Sequence, residues 1–362
     1  MVLPNLSKIF PLPEYVESLS MGLDISDRSL KFVELKGRKK HLELGMFGSR
    51  VLPEGLVVSG EIKNKPGLID FLKKDFAEFF GKEVSLSLPE EKALVGLVTL
   101  PVMPLSNIRE TLELQLDEHI PLSPSETIFD FELLRPAVKD HLDVVLAAFP
   151  RKLVEDYRDV LVASGLKPRV FEMETQALVR SILPENEKDT VMIIDFGRTR
   201  TSFAIVTDGI IRFTSTVVLA GESINQILAK VFNIDVYGAE RIKKENGFVR
   251  TKENQEVFNS ILPIISAIRD EISRHLLYWQ NHASHVHYPN PEVSKIYLCG
   301  GDSNLTGLTE YFSYELKIPV LLANPWVNIT SFDDYIPEIT LTESLTYATA
   351  LGLALRSAKH ND

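Results

Sequence analysis

Hydrophobic and polar residues alternate in three consecutive segments near the start of the chain. "SMGLDIS" and "LKFVELK" are separated by the tight polar turn "SDRS", and "HLELGMFGSRVLP" follows with the same alternation. A period of two residues is typical of a half-buried β-strand. The pattern therefore predicts a meander of three strands that begins near residue 20. Residues 1–19, which contain three prolines, are expected to form a flexible arm before it.

A helix and a fourth strand are predicted next. In "KPGLIDFLKKDFAEFF", Leu68, Leu72, Phe76 and Phe79 recur on one helical face, and Gly81 is a typical helix end. "EVSLSLP" is then predicted to be a strand. We assign this part of the chain, residues 20–96, to a first lobe.

The pattern changes at about residue 97. "GLVTLP" predicts a strand, and a helix follows that begins at Ser106 or Asn107 and ends before Pro121. "TIFDFELLRP" and "HLDVVLAAFP" predict two more strands, and "KLVEDYRDVLVASG" predicts a closing helix. Residues 97–167 are therefore expected to form an inserted βαββα subdomain.

The second half of the chain repeats the opening pattern. Residues 168–188 are predicted to return to the first lobe, and the segment "TVMIIDFGRTRTSFAIVTDGIIRFTSTVV" after them predicts strands joined by an Asp208-Gly209 hairpin turn. "MGLDISDRSLKFVEL" and "IIDFGRTRTSFAIV" share an apolar strand that ends in Asp, a polar loop and a second apolar strand. We expect residues 189–340 to form a second lobe that faces the first across a cleft, and residues 341–362 to return to the first lobe as a C-terminal helix.

The two aspartate-ended turns suggest a phosphate site. A tight loop with small and hydroxyl residues presents backbone N–H groups that suit phosphate oxygens. The carboxylates of Asp24 and Asp195 would repel phosphate unless a hard cation such as Mg²⁺ lay between carboxylate and phosphate. Such a cation usually contacts the carboxylate through water. Each loop taken alone is equally explained as a surface turn, so the prediction depends on finding both loops in one chain.

A third segment, "IYLCGGDSNLTGL", contains the consecutive glycines Gly300 and Gly301. Where a strand passes into a helix, bare backbone lets a flat ring or sugar lie close, which favours the adenosine end of a nucleotide. The alternative is a simple strand-to-helix packing turn. The chain contains neither G-x-x-x-x-G-K-[ST] nor G-x-G-x-x-G, the two commonest phosphate-loop motifs.

Composition narrows the function classes. The chain of 362 residues has a formal net charge of −11, which disfavours non-specific binding to nucleic acid. With one cysteine, Cys299, it has no internal disulfide, which fits a reducing cytosol. A catalytic thiol at Cys299 is the less favoured alternative to a buried cysteine. No apolar run reaches the roughly 18 residues of a membrane span, so we expect no direct span.

Two other groups of residues have a functional and a plain interpretation. The basic run Lys36–Lys40 is expected to be a solvated hairpin tip rather than a binding patch for phospholipid or nucleic acid. His282, His285 and His287 have spacings compatible with a metal, but no cysteine or carboxylate joins them, so a polar helix end is favoured.

These motifs, in this order, resemble the superfamily of actin, Hsp70 and the sugar kinases. Within it the chain is most similar to the PilM family of type IV pilus assembly proteins, which is related in fold to the division protein FtsA. The resemblance extends from Met21 to Arg356 and includes the two loops, "LAGESINQILAKVFNIDVYGAERIKKE", "YLCGGDSNLTGLTEYFSYELKIPVLLANPW" and "YATALGLALR". It implies an α/β, actin-like and ribonuclease H-like fold of two lobes that binds a nucleotide.

The resemblance also implies which residues bind ATP and Mg²⁺. Asp24 and Asp195 would serve the metal. The phosphates would be contacted by Ser26, Ser29, Gly197, Thr199 and Thr201. The ribose and base would be contacted by Glu240 and Lys243. The adenosine would lie on Gly300, Gly301 and Asn304.

Three positions depart from the family pattern. Ser26 stands where the first loop usually has glycine, and its Cβ would narrow the loop. Arg198 and Arg200 stand where small residues are common, and each would either contact phosphate or fill the site. Simple exposure at a strand end explains both arginines equally well.

A catalytic group is the least determined part of the site. Hydrolases of this superfamily need a residue that polarises water, and Glu172 and Glu174 are the candidates; we select Glu174. Each glutamate is equally explained by its position at a strand end or helix start. The resemblance implies a scaffold more than an efficient enzyme, so we expect at most weak ATPase activity.

The implied role is a cytoplasmic scaffold, peripheral to the inner membrane, that binds the N-terminal peptide of a PilN-like membrane protein. The peptide groove would lie between the first lobe and the insertion. The pilus assembly ATPase and a second copy of the chain are further partners to test.

Two rival functions stay open at this point. One is a sugar or acetate-type kinase, for which Asp117, Glu118 or His119 would be the base. The other is an FtsA-like cell-division anchor, which usually carries a C-terminal membrane helix that "LRSAKHND" does not resemble. A related secretion-system protein with the same fold is a further alternative.

Overall fold

The structure is a computed structural model that describes residues 20–38, 41–134, 140–282 and 292–359. The predicted N-terminal arm, His285, His287, the end of the basic run at Lys39 and Lys40, and the last three residues lie outside the described residues.

The chain opens with the predicted meander. Its elements are, in order, β1 (Met21–Ile25), β2 (Ser29–Arg38), β3 (His41–Val51), β4 (Val57–Val58), β5 (Glu61–Ile62), α1 (Lys65–Asp75) and β6 (Glu83–Leu88). Asn64 caps α1 by accepting a hydrogen bond from the Gly67 N–H at 2.9 Å. Helix α1 ends at Asp75, earlier than the apolar periodicity of the sequence predicts, because a 3₁₀ turn at Ala77–Phe79 replaces the last part of the predicted helix.

A small antiparallel sheet follows, with its own apolar core. The elements are β7 (Leu94–Pro101), α2 (Leu105–Leu114), α3 (Leu116–His119), β8 (Thr127–Leu133), β9 (His141–Pro150), α4 (Arg151–Ala163), β10 (Lys167–Met173) and α5 (Glu174–Ile182). The strand order is β7-β9-β8, and residues of α2 and α3 pack on the sheet. The sequence predicted a single helix before Pro121, but the structure has two helices, α2 and α3, separated at Gln115.

Helix α4, which we predicted as the closing helix of the insertion, packs against the first lobe. Its buried residues Leu153, Tyr157 and Leu161 belong to the core beneath β1 and β6. The Tyr157 hydroxyl donates a hydrogen bond to the Gly60 carbonyl at 3.0 Å. The insertion is therefore joined to the first lobe through α4 as well as through the chain.

The second lobe repeats the topology of the first. Its elements, and those that follow it, are β11 (Thr190–Phe196), β12 (Thr201–Thr207), β13 (Ile210–Val217), α6 (Gly221–Phe232), α7 (Val236–Asn246), α8 (Gln255–His282), β14 (Lys295–Cys299), α9 (Leu308–Leu316), β15 (Val320–Leu322), α10 (Leu341–Ser344) and α11 (Ala348–Lys359). One sheet has the order β10-β6-β1-β2-β3 and the other β15-β14-β11-β12-β13. In each, an antiparallel meander of three strands continues into two parallel strands.

Helix α11 packs tightly in the first lobe because two glycines remove side-chain bulk. A Cβ on Gly22 of β1 would lie 2.0 Å from the Ala350 oxygen, and a Cβ on Gly352 would lie 1.9 Å from the Ala177 oxygen of α5. Both distances are far below van der Waals contact. The small residues of "YATALGLALR" therefore allow α11 to touch both β1 and α5. None of the helices within the described ranges combines the length and apolar character of a membrane span.

Candidate functional site

The β1–β2 and β11–β12 hairpins end in equivalent two-residue turns. In the first, the Ser26 N–H donates to the Ser29 carbonyl at 2.9 Å; in the second, the Gly197 N–H donates to the Arg200 carbonyl at 3.1 Å. Ser26 and Gly197 are thus structurally equivalent positions. The resemblance between the two segments, seen first in the sequence, is a resemblance of backbone geometry.

The two aspartates lie two residues before these turns, each on a central strand. Asp24 pairs in register with Lys31, and the Lys31 ammonium is 3.5 Å from the Asp24 carboxylate. Asp195 is paired instead with Ser202. Our sequence analysis missed Lys31, although the two-residue turn "DR" between Ser26 and Ser29 sets Asp24 opposite it.

The diglycine loop lies against the second aspartate. Strand β14 runs parallel to β11 and sets Cys299 beside Asp195. Gly300 follows with a φ of 86°, and a Cβ there would lie 2.3 Å from Asp195 Oδ1 and 2.6 Å from the Phe196 oxygen. Only glycine fits this close approach.

The two hairpins and the diglycine loop surround one cavity of about 430 Å³. It is lined by predicted site residues from both lobes, namely Asp24, Ser26, Ser29, Glu174, Asp195, Gly197, Thr199, Glu240, Gly300 and Gly301. Lys31, Lys244 and Asp302, which our sequence analysis did not select, line it as well. A cavity of this size with converging polar groups is typical of a small-ligand site.

Three predicted site residues are held away from this cavity. The buried Thr201 hydroxyl donates to the Leu219 carbonyl at 2.6 Å, and the Asn304 amide donates to the Thr342 carbonyl at 2.8 Å. The buried Lys243 ammonium lies between Glu240, at 2.9 Å, and Asp302. Thr201 and Lys243 are buried, so their polar groups need these partners. The Asn304 side chain is held by a backbone carbonyl of α10.

Arg198 and Arg200 have different surroundings, although the sequence left the same roles open for both, a phosphate contact or a side chain that fills the site. Arg198 is exposed at the cavity. Arg200 is mostly buried and forms ion pairs with Asp27, at 2.7 Å, and with Glu91. Both partners of Arg200 belong to the first lobe.

Three buried carboxyl groups in or near the cavity have raised pKa values. Burial raises the pKa of Asp195 to about 6; Asp24 adds to the rise and Lys31 opposes it. Burial raises the pKa of Glu174 well above its usual value, and the charges of Asp24 and Asp195 add to the effect. Burial likewise raises the pKa of Glu90, against hydrogen bonds from Thr175.

These carboxylates fit a hard cation. Oxygen ligands are what Mg²⁺ prefers. Within the described residues, no group of three or more ligating side chains could hold a metal by itself. A metal held by Asp24 and Asp195 would need its remaining ligands from water or from a bound molecule.

The two candidate catalytic glutamates have different surroundings. Glu174, the first residue of α5, lines the cavity between the lobes. Glu172 is buried and ion-paired with Arg180, at 2.6 Å, and with Arg356. Glu172 lines a second cavity instead.

The second cavity, of about 700 Å³, lies between the insertion and the first lobe. Strand β8 is the edge of its sheet beside β9, and β10 is the edge of the large sheet beside β6. Both edge strands contribute lining residues, including Phe129, Phe131, Phe171 and Met173, and Ile210 of the second lobe closes one side. The lining combines apolar side chains with six charged ones, namely Arg109, Asp130, Glu132, Glu172, Arg180 and Arg356.

Two topologically equivalent lobes around a cavity with two aspartate-ended hairpins and a diglycine loop define a protein of the actin-like nucleotide-binding fold. The family model described as "Type IV pilus assembly protein PilM" matches residues 22–358. The chain therefore belongs to the PilM family. The predicted family and the predicted fold class are both confirmed.

Solved structures agree with this assignment. The chain is similar to the "PilM-PilN type IV pilus biogenesis complex", with 25% identity and a TM-score of 0.79 over 94% of this chain and 99% of that chain. The ethanolamine utilization protein EutJ from Carboxydothermus hydrogenoformans has 16% identity and a TM-score of 0.54, covering 95% of this chain and 91% of its own. MreB5 of Spiroplasma citri bound to ADP has 17% identity and a TM-score of 0.52, covering 88% and 94%. The last two show the fold alone.

Curated relatives are cell division proteins. FtsA of Neisseria meningitidis serogroup B is 27% identical over 191 residues, which is 48% of this chain and 45% of FtsA. FtsA of Enterococcus hirae is 25% identical over 230 residues, 56% of this chain and 51% of FtsA. The chain spans about half the length of these curated relatives.

Proposed function

We propose that this protein is an ATP-binding scaffold of type IV pilus assembly that holds a PilN-like inner-membrane protein by its cytoplasmic N-terminal peptide. The observation that carries the nucleotide part is the convergence of Asp24, Asp195 and Gly300 on one cavity. The partner follows from the similarity to a PilM–PilN complex and from the second cavity. The protein would then lie on the cytoplasmic side of the inner membrane through this partner.

In the nucleotide cavity, ATP and Mg²⁺ are the proposed ligands. The turn residues Ser26, Ser29, Gly197 and Thr199 would face the phosphates. Asp24 and Asp195 would hold the metal, which neutralises phosphate charge when it is bound.

The nucleoside would lie against Glu240, Gly300 and Gly301, which all line the cavity. Lys244, at 3.1 Å from Glu240 and at the cavity, takes the place that we first gave to Lys243.

A thermal-shift titration tests the nucleotide part. ATP with Mg²⁺ at 100 times its Kd should stabilise the protein by about 2.7 kcal/mol, whereas sugars should not. Asp195→Asn should lose the Mg²⁺-dependent part of the shift. Asp159→Asn, at an exposed position of α4, is the matched control and should keep it. Stabilisation by a sugar instead of ATP would favour the kinase alternative.

Glu174 is the proposed water-polarising residue if the protein hydrolyses ATP. Glu174→Gln should abolish phosphate release while ATP with Mg²⁺ still stabilises the fold. Unchanged phosphate release in this variant would exclude the role. A wild-type protein that binds ATP without releasing phosphate would be a scaffold in which ATP is only held.

The peptide would occupy the second cavity in an extended conformation. An outer strand edge such as that of β8 offers backbone hydrogen bonds, and alternate side chains of the peptide would enter apolar pockets. Phe129→Ala should weaken binding of a synthetic PilN-like N-terminal peptide by about tenfold, which is about 1.4 kcal/mol. Leu97→Ala, on the opposite edge strand β7, is the control and should bind normally. Equal binding by both variants would exclude this groove.

Two further partners are proposed only because the chain belongs to the PilM family. We propose to test the pilus assembly ATPase by co-purification and a second copy of the chain by sedimentation. Neither partner is needed for the peptide or nucleotide sites described above.

A further inference from the structure

The second hairpin is tied to the first lobe by one arginine. Arg200 of the β11–β12 turn pairs with Asp27 of the β1–β2 turn, with Nη2 2.7 Å from Oδ2, and also with Glu91. Glu91 belongs to the short 3₁₀ turn that follows β6. The three side chains are 14%, 15% and 18% exposed, so water screens these pairs less than it would screen surface pairs.

The carboxylates that receive Arg200 are anchored in the first lobe. Asp27 accepts hydrogen bonds from the Ser59 N–H at 3.2 Å and from the Gly60 N–H at 3.0 Å. Asp27 therefore cannot follow Arg200 when the hairpins separate. Moving the lobes apart at this point requires that Arg200 give up both of its partners.

A second pair crosses the cleft in the opposite sense. Arg28 of the first hairpin is 3.4 Å from Glu222 at the start of α6 in the second lobe, and 2.9 Å from Glu54. Each hairpin thus sends an arginine to the other lobe. Because Glu54 is largely exposed and the contact to Glu222 is longer, the Arg200 pairs are the stronger of the two links.

We propose that Arg200 is an interlobe latch, which holds the cavity closed through Asp27 and Glu91 and sets the rate at which a ligand enters and leaves. The identity of the ligand as a nucleotide rests on the proposed function; the latch itself does not. Arg200 is therefore a positioning residue that acts on the lobes. The alternative role is a direct contact between its guanidinium and a phosphate.

The protein without added nucleotide tests the latch directly. In Arg200→Ala, amide hydrogen exchange in residues 26–29 and 197–200 should accelerate by about tenfold, since the closed arrangement loses two ion pairs. Arg198→Ala is the matched control, because it removes the same charge from the same turn. Within the described ranges no ion pair is formed by Arg198. Equal exchange in the two variants would overturn the proposal.

A double-mutant cycle separates the latch from a general effect of charge. If Arg200 and Glu91 act together, Arg200→Ala and the double variant with Glu91→Gln should show the same exchange rates. Additive effects of the two substitutions would contradict the latch.

Binding kinetics distinguish the latch from a phosphate contact. With a fluorescent ATP analogue and Mg²⁺, Arg200→Ala should raise both the dissociation and the association rate constants, by about tenfold for dissociation, because the cavity opens more often. A higher dissociation rate with a lower association rate would instead assign Arg200 to phosphate and overturn the latch.

The two proposals fail separately. If the wild type binds no ATP analogue, the nucleotide function is excluded, and the exchange measurements still decide whether Arg200 joins the lobes.

Discussion

Gly300 packs directly against Asp195: a side chain at position 300 would place its first carbon 2.3 Å from the Asp195 carboxylate oxygen. This contact joins the diglycine loop to the second aspartate-ended hairpin. It explains why the strand β14 passes into bare backbone at this point. The shape of the cavity between the lobes therefore depends on a missing side chain as much as on the polar groups around it.

Gly300→Ala should destabilise the protein by about 1–3 kcal/mol and weaken ATP binding, because the φ of 86° and the close oxygen both oppose a Cβ. Urea unfolding and an ATP titration measure the two effects. Gly301→Ala is the control for the unfolding measurement, since its Cβ would meet only a Thr346 methyl group at 3.3 Å. Similar losses of stability in both variants would show that the Asp195 contact is not the cause.

Gly352→Ala should cost about 1–3 kcal/mol of unfolding free energy, because the added carbon would lie 1.9 Å from the Ala177 carbonyl oxygen and force α5 and α11 apart. Gly96→Ala, where a Cβ would meet nothing within 4 Å, should be neutral. Chemical denaturation of both variants checks this. A stability equal to that of the wild type would mean that the helices separate at little cost.

Lys31→Met should move the pH dependence of Mg²⁺-dependent ATP binding upward. Lys31 opposes the rise in the pKa of Asp195, which stands at about 6, so its loss raises that pKa further. Mg²⁺ competes with the proton, so binding in the wild type should weaken as pH falls through about 6.

The profile of the Lys31 variant should weaken at a higher pH. Lys36→Met, an exposed lysine on the same strand, is its control. An unmoved profile in Lys31→Met would show that Lys31 does not act on Asp195.

His275→Phe should change how stability depends on pH. The ring of His275 packs between the rings of Phe203 and Phe213, with its centroid 4.9 Å and 5.2 Å from theirs. Burial lowers the pKa of His275 to about 4, and the charge of Arg274 contributes to this shift. Between about pH 6.5 and 4 the unfolded chain binds a proton that the folded chain does not. The stability that His275 contributes above pH 6.5 is therefore lost as pH falls through this range.

The unfolding free energy of His275→Phe relative to the wild type should consequently rise as pH falls, by about 1.4 kcal/mol per pH unit inside the window. Denaturation series at several pH values measure this slope. His119→Phe, at an exposed histidine, should show no such slope. A constant difference between His275→Phe and wild type would contradict the assigned burial effect.

Local patterns predicted the hairpins well. The alternation around Asp24 and Asp195 and the polar turns between the strands are short-range features, and the structure has both hairpins with equivalent turns. The position of Lys31 opposite Asp24 follows from the same strand register, so it could have been predicted from the sequence. The break at Gln115 and the early end of α1 at Asp75 could not be predicted in this way, because tertiary packing overrides helix periodicity near element ends.

Partners of charged residues were much harder to predict. Lys243 matched a family motif for the nucleoside, yet its ammonium is buried between Glu240 and Asp302. Arg200 was expected at phosphate or as a filler, and it pairs with Asp27 and Glu91 instead. Nothing local to either cation identifies these carboxylates.

The sequence by itself therefore determined the order of strands and helices and the repeat of aspartate-ended hairpins. These features depend on side-chain periodicity and backbone freedom within a few neighbouring residues. Only the tertiary structure decided which groups face the cavity, which arginine joins the lobes and why position 300 has no room for a side chain. A buried charge must be neutralised by whatever side chains long-range packing brings beside it, and those lie far away along the chain.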